Sequence, residues 1–464
     1  VAVVAIALTL VAGACGSRAD TSSSGGGNAG VEGPANNTDG ATVADGKFGD
    51  IDIPCGPGSS SGNTASDTGV TADTIAISTL ADPGGAKQGL NQGVFDSMQV
   101  FVEWCNDLGG INGRKLELSL RDAALFQYKE KVVESCDDFA MVGSLGVFDN
   151  LGAQDQVNCG LPNIPAETVN PEQSGADITF APTPNPPWTY PVTAAQYVKS
   201  NFPDAAPKAA MLYTNTSVTK MQSDRQIEAY QSQGFSFGYS SAVNINESAW
   251  GPLVVGMKNA GSRYMTLSST WEEIVPLFEA MDQQDFKPDV VELEANFYNE
   301  NLPKQAPASA DGTLVRLMTW PFEEADQNPT MTQYLGLIDK YKSDAVREYL
   351  GVKAFSAGLL FATAVKAMGA DVTRAGLVEQ IARIGTWDGG GLHAPGEPAK
   401  NERGTCMMLM KIEDGKFVRE YPKPDVDKEI YDNPIAKGYA CPDASTAIVP
   451  ITSTDFRALG ARKQ

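Results

Sequence analysis

Few residues in this chain have the type and spacing that side-chain chemistry needs. There is one histidine, His393, so a Ser-His-Asp triad, a histidine base and a multi-histidine metal site all lack their material. Glu272 and Glu273 are neighbours on a predicted helix and therefore point apart instead of sharing a reacting group. Val142-Gly143-Ser144-Leu145-Gly146 is not the Gly-x-Ser-x-Gly elbow of a hydrolase, and no phosphate-cradling loop is present. The seven cysteines include no close pair at metal-ligand spacing, so neither a metal nor another cofactor is expected. A lipid-anchored hydrolase, with carboxylates that only the fold brings together, is the weakest reading. The chain is expected not to be an enzyme.

Binding is what remains, and charge narrows the partner. Lys and Arg number 35 against 57 Asp and Glu, a formal charge of -22, which argues against nucleic acid or an anionic membrane face. At 464 residues the chain exceeds what one core usually supports, so two packed domains are expected. The apolar start, ending at Ala12-Gly13-Ala14-Cys15-Gly16-Ser17, reads as the tail of a truncated signal peptide over 1–15, too short to span a bilayer. It resembles a bacterial lipobox, with Ala12 where Leu is more usual, and that resemblance implies diacylglyceryl attachment at Cys15 and an extracytoplasmic, membrane-anchored protein. Residues 16–69 are rich in Ser, Gly, Thr, Asn and Asp and are expected to form a disordered tether. Cys55 is the exception, able to tie the tether's end to the folded body. Without Cys15, six cysteines remain on an exported chain, an even set that reads as three disulfides.

The elements begin near Gly69. Ile75, Ile77 and Leu80 mark a buried strand, followed by the loop Asp82-Pro83-Gly84-Gly85. Val94, Phe95, Met98, Phe101, Val102, Cys105 and Leu108 recur at helical spacing up to Gly109-Gly110. Leu116 to Leu120, a helix over Tyr128 to Phe139, and Ala140-Met141-Val142-Gly143 then complete strand, helix, strand, helix, strand, the order of a doubly wound parallel sheet. A second set follows the proline-rich stretch Pro182 to Trp188, with strands at Ala209–Tyr213, Tyr264–Leu267 and Val290–Leu293. A broadly apolar helix over Ala354 to Met368 and a hairpin across Asp414-Gly415 come later.

The run Glu103-Trp104-Cys105-Asn106-Asp107-Leu108-Gly109-Gly110-Ile111-Asn112-Gly113-Arg114-Lys115-Leu116 resembles the segment that links the first helix to the second strand in type I periplasmic binding proteins of the branched-chain amino acid branch. Arg121-Asp122-Ala123 and Val142-Gly143-Ser144 are similar to two further family steps, more loosely. The resemblance implies an α/β fold of two Rossmann-like doubly wound lobes joined by a three-strand hinge. The first lobe is expected at 70–187 plus 321–400, the second at 188–320 plus 401–448, and a C-terminal tail at 449–464.

Such sheets bind beyond the carboxyl ends of their strands. On that expectation, Ser144 and Thr168 and the backbone beside them hold an acceptor group of a ligand, and the loop at Asp82 reaches the same cleft. Tyr213, Thr270, Trp271, Glu294 and Phe297 come from the second lobe, Glu294 to pair an ammonium, Trp271 and Phe297 to wall an apolar group. Each has a plainer use: Ser144 as a helix cap, Asp82 as a loop residue, Trp271 as packing between lobes, Glu294 as a solvated side chain. Leu145-Gly146-Val147-Phe148 stands where the family carries more Ser and Thr, a departure that counts against an amino-acid ligand. With the element order that the resemblance implies, the disulfides are expected as Cys136–Cys159, Cys406–Cys441 and Cys55–Cys105, one set among the several that six cysteines allow. The function implied is that of a monomeric solute-binding lipoprotein serving the permease of an ABC importer, with a ligand-sensing receptor of the same fold as the alternative.

Overall fold

The computed structural model describes residues 46–58 and 61–462. Cys15 and most of the expected tether lie outside them. Order begins earlier than the composition suggested: a small hairpin pairs Lys47–Phe48 with Ile51–Asp52. The reason is Phe48, which is buried against Trp104 and Phe355 with ring centroids 5.6 and 5.4 Å away. One aromatic anchor and the Cys55 bond hold a segment that its neighbours would leave in solvent.

Four parallel strands form the first sheet, in the order Lys115–Asp122, Thr74–Ala81, Ala140–Val142, Asn163–Ile164. The second sheet has seven, ordered Lys416–Tyr421, Met408–Glu413, Leu314–Leu317, Val290–Leu293, Tyr264–Ser268, Ala209–Thr214, Phe237–Val243. The last five are parallel, and the first two form an antiparallel hairpin on one edge. Helices connect the parallel strands, as such strands require. The chain returns to the first sheet with Pro329–Tyr341 and Tyr349–Met368, which pack on the helix Gln92–Asp107. It therefore crosses between the sheets three times. The helix Tyr349–Met368 is long and apolar enough to span a bilayer, but 83% of its apolar window is buried in the protein; it is the core helix of the first sheet, not a membrane span.

The segment that carries the family resemblance has clear local work. Gly110 N–H returns to Cys105 carbonyl at 2.9 Å to close the helix. Asn106 accepts from Leu116 N–H at 2.8 Å and donates to its carbonyl at 2.9 Å, setting the register of the next strand. Asn112 Nδ2 reaches the carbonyls of Lys366 and Gly369 (3.1 and 3.2 Å), and Arg114, fully buried, donates to Thr71 and Ala370 carbonyls (2.9 and 2.8 Å). One turn thus caps the C-terminus of the core helix. Gly110 has φ +77°, and a Cβ there would lie 1.9 Å from the Arg114 carbonyl oxygen. Gly110→Ala is expected to lower stability by about 2–3 kcal/mol, seen as a lower urea midpoint; an unchanged midpoint would show that the turn relaxes freely.

Three disulfides are present, Cys55–Cys105, Cys136–Cys159 and Cys406–Cys441, with Cα separations of 5.2, 5.9 and 4.0 Å. The tail is not loose. Ile448–Pro450 pairs antiparallel with Thr189–Pro191, and Ile451, Phe456 and Ala461 are buried. Apolar residues spaced along an otherwise polar end supply that anchorage.

Candidate functional site

Strands of both sheets end at one cavity of about 250 Å³. Thr214, Ser268 and Glu294 stand at or just past the ends of three second-sheet strands and line it. The first sheet contributes the loops that carry Leu145, Val147 and Thr168, and two crossings contribute Tyr190 and Arg403. Most of the wall is apolar, Leu90, Leu125, Phe148, Val218, Ile245 and Met318 among it.

Three of the residues expected from sequence line this cavity: Thr168, Thr270 and Glu294. The other five do not. Asp82 is buried and accepts from Leu125 and Val147 N–H at 2.9 and 2.8 Å, so it fixes two wall loops from behind; burial raises its carboxyl pKa. Ser144 Oγ accepts from Leu80 N–H at 3.0 Å. Phe297 belongs to the core, Trp271 packs against that core, and Tyr213 lies beneath Lys220, 5.9 Å from the ring centroid.

The polar side of the cavity is built from ion pairs. Arg316 meets Glu294 and the Tyr190 hydroxyl, and its Nε lies 3.8 Å from Glu292. Glu292 is fully buried and accepts from the hydroxyls of Tyr230 and Tyr264; burial raises its pKa while Arg316 opposes the rise. Lys353, buried in the core helix, pairs with Glu167 at 2.8 Å, and Asn185 donates to the same carboxylate; burial lowers the Lys353 pKa. Arg225 and Arg403 both donate to the Pro186 carbonyl, at 3.4 and 2.9 Å. Burial brings Arg225 down to about 10, and burial with Arg225 and Arg316 nearby brings Arg403 down to about 9. Both remain cations at neutral pH.

The two halves also touch at the cavity's rim. Lys87, after the first strand, is ion-paired with Glu273 on the helix Trp271–Gln283. Asn246 Nδ2 donates to Ala86 carbonyl and Gln222 Nε2 to Val169 carbonyl, each at 3.0 Å. A cavity walled by two sheets, with contacts bridging its rim, is the geometry of a two-lobed binding cleft with its halves together. The model of the periplasmic binding protein family matches residues 74–416.

The chain belongs to the periplasmic binding proteins.

Solved structures give the same fold at low identity. A fatty acid ABC transporter substrate-binding protein from Thermomonospora curvata is 16% identical, with TM-score 0.67 over 84% of this chain and 97% of its own. A leucine binding protein from Thermotoga maritima is 14% identical, TM-score 0.61, over 75% and 98%. An ABC transporter solute binding protein from R. palustris, in complex with 4-hydroxybenzoate, is 14% identical, TM-score 0.62, over 75% and 96%. No curated protein matches this sequence. In this periplasmic binding protein the type I fold is therefore shown by family and architecture together.

Sequence reasoning missed the most charged part of the site. Arg316 interrupts Leu314-Val315-Arg316-Leu317, Glu292 interrupts Val290-Val291-Glu292-Leu293, and Lys353 sits within an apolar helix. Charges inside buried runs are a legible sign of internal ion pairs. Arg403, in the polar stretch Asn401 to Thr405, carries no such sign. The lone histidine is structural: His393 lies buried with Ser356 Oγ at 2.8 Å and the Ala394 carbonyl at 2.7 Å, outside the cavity. Among the described residues no group of three or more His, Cys, Asp or Glu is placed to hold a metal ion.

Proposed function

We propose that this protein is the extracytoplasmic solute-binding subunit of an ABC importer, a monomer anchored through a lipid on Cys15, that closes on one small organic solute and delivers it to a permease. The observation that carries the reading is the cavity lined from both sheets and latched at its rim by Lys87 and Glu273. A solute touching both walls only when they are together shifts the population toward the closed form that a permease would recognise. Lobe boundaries at 70–187 with 321–400, and 188–320 with 401–448, fit the packing of helices 329–341 and 349–368 on the helix Gln92–Asp107. The solutes of similar proteins range over leucine, fatty acid and 4-hydroxybenzoate, so an amino acid, an amide or a related acid all merit testing.

The first test is a thermal-shift screen of the oxidised protein over such compounds, followed by solution scattering of any hit. A ligand at one hundred times its Kd should add about 2.7 kcal/mol of stability and reduce the radius of gyration. No shift and no contraction across the whole set would overturn the solute-binding reading. The latch gives a second prediction. Lys87→Met removes the ion pair across the rim and leaves Glu273 only the Asn246 N–H, favours the open form, and should weaken any confirmed ligand about three- to tenfold, with a larger unliganded radius in scattering. An unaltered radius and affinity would show that the latch adds nothing to closure.

A further inference from the structure

The polar groups left over in the cavity indicate what kind of solute it takes. Four lining side chains have a buried nitrogen or oxygen without a partner: Asn91 Nδ2, Thr270 Oγ1, Tyr349 OH and Arg403 Nε. Two are pure donors and two are hydroxyls. These four atoms have almost no accessible surface and are enclosed behind the wall; the unbonded donor that is not enclosed in this way is Arg403 Nη1, since Arg403 bonds only through Nη2, to the Pro186 carbonyl.

Charge points the same way. The acids near the cavity are already matched, Glu294 by Arg316 and Glu167 by Lys353. Arg403 forms no ion pair among the described residues, and only its Nη2 is engaged, by the Pro186 carbonyl. Arg225 lies behind it, also without a carboxylate. In a chain of charge -22, this cavity holds a surplus of positive charge. A guanidinium with an N–H group left unbonded suits a carboxylate, which it meets with a charge-assisted hydrogen bond. An ammonium would meet Arg403 and Arg316 and find no unmatched acid.

We propose that the solute is an apolar monocarboxylate without an α-ammonium group, its carboxylate held by Arg403 and its body against the leucine, valine and phenylalanine wall. This rests on the solute-binding reading above and narrows it. The cysteine bridge from Cys406 to Cys441 fixes the loop three residues from Arg403, which lets a loop residue act as a positioned anchor.

The test compares acids with their own amides and amino acids by calorimetry on the oxidised protein: 4-methylpentanoate, octanoate and benzoate; 4-methylpentanamide, octanamide and benzamide; leucine and phenylalanine. At least one acid should bind, tenfold or more tighter than its amide and than either amino acid. Arg403→Gln should weaken that acid by about 10- to 100-fold, leave the amide nearly unchanged, and be partly rescued by Arg403→Lys. If leucine or phenylalanine binds as tightly as the best acid, or an amide equals its acid, the inference fails while the solute-binding reading stands. If no compound binds or contracts the protein, both fail. Should Arg403→Gln not fold, the acid-to-amide ratio on the unaltered protein decides alone.

Discussion

Arg316→Met is expected to destabilise the protein by about 3–5 kcal/mol near pH 7.5, the usual cost of removing one partner of a buried ion pair. The cause is what the arginine leaves behind. Glu292 is fully buried and retains only two tyrosine hydroxyls, and Glu294 loses the guanidinium beside it. Burial already raises the Glu292 pKa with Arg316 opposing it, so without Arg316 it rises further. A raised acid is protonated in the folded state, and the stability linked to that proton is present at low pH and lost as pH rises through the folded value. The deficit of the variant should therefore shrink at pH 5. Adding Glu292→Gln to Arg316→Met should recover much of the loss at pH 7.5, because the buried charge is then gone. Urea midpoints for the three proteins at both pH values measure this. A deficit independent of pH and untouched by the second substitution would assign Arg316 a packing role instead.

A pH-dependent stability between about 4.5 and 7 is the second large effect expected, with Glu348 as one of its two main sources beside Asp149. This residue precedes the core helix Tyr349–Met368 and joins both halves: Gly93 N–H donates to one carboxylate oxygen at 3.0 Å and Asn299 Nδ2 to the other at 3.1 Å. Burial raises its pKa from 4.5 to about 7, with Glu272 and Asp96 adding to the rise and the two donors opposing it. The folded protein keeps this proton where the unfolded chain has lost it. The associated stability is full below pH 4.5 and is lost by about pH 7, roughly 3 kcal/mol in all. Asp149, also raised to about 7 by burial, acts in the same sense, and His393, lowered to about 4, acts in the opposite one. Glu348→Gln isolates the term, since the other groups stay in place. The variant should lose less stability than the parent between pH 4.5 and 7.5, by up to that amount, and parallel curves would exclude Glu348 as a source.

The parts of this molecule that were legible in its sequence are those governed by local rules. The helix Gln92–Asp107 shows in its apolar spacing and its end in the paired glycines, and the strand Thr74–Ala81 in a short apolar run. The cavity is another matter, since it is made of groups far apart in sequence whose shared property is to stand at strand ends. Thr168, Thr270 and Glu294 could be placed because strand ends can be counted. Ser144 and Asp82 stand at equivalent strand ends, yet their side chains turn back to satisfy backbone N–H groups. Arg403 depends on a crossing that closes only when both sheets exist, and nothing in Asn401-Glu402-Arg403-Gly404-Thr405 marks it out. The ordered stretch over 46–58 was hidden for a related reason: a single phenylalanine is too sparse a pattern to outweigh polar surroundings, although it finds a well-filled aromatic site.

The buried C-terminal end bears on how far such a molecule can swing. After pairing with Thr189–Pro191, it binds Glu228 of the second half through Thr452 and Ser453, and then reaches the first half, where Arg462 N–H meets the Gly175 carbonyl at 3.1 Å and its guanidinium meets Gln154 at 2.7 Å. Besides the three covalent crossings there is thus a fourth, non-covalent strap between the halves. Any gape that separates Glu228 from Gly175 must first break those bonds. On the solute-binding reading proposed above, the amplitude of opening, and with it the rate at which a captured molecule escapes, is set partly by a few residues that do not line the cavity.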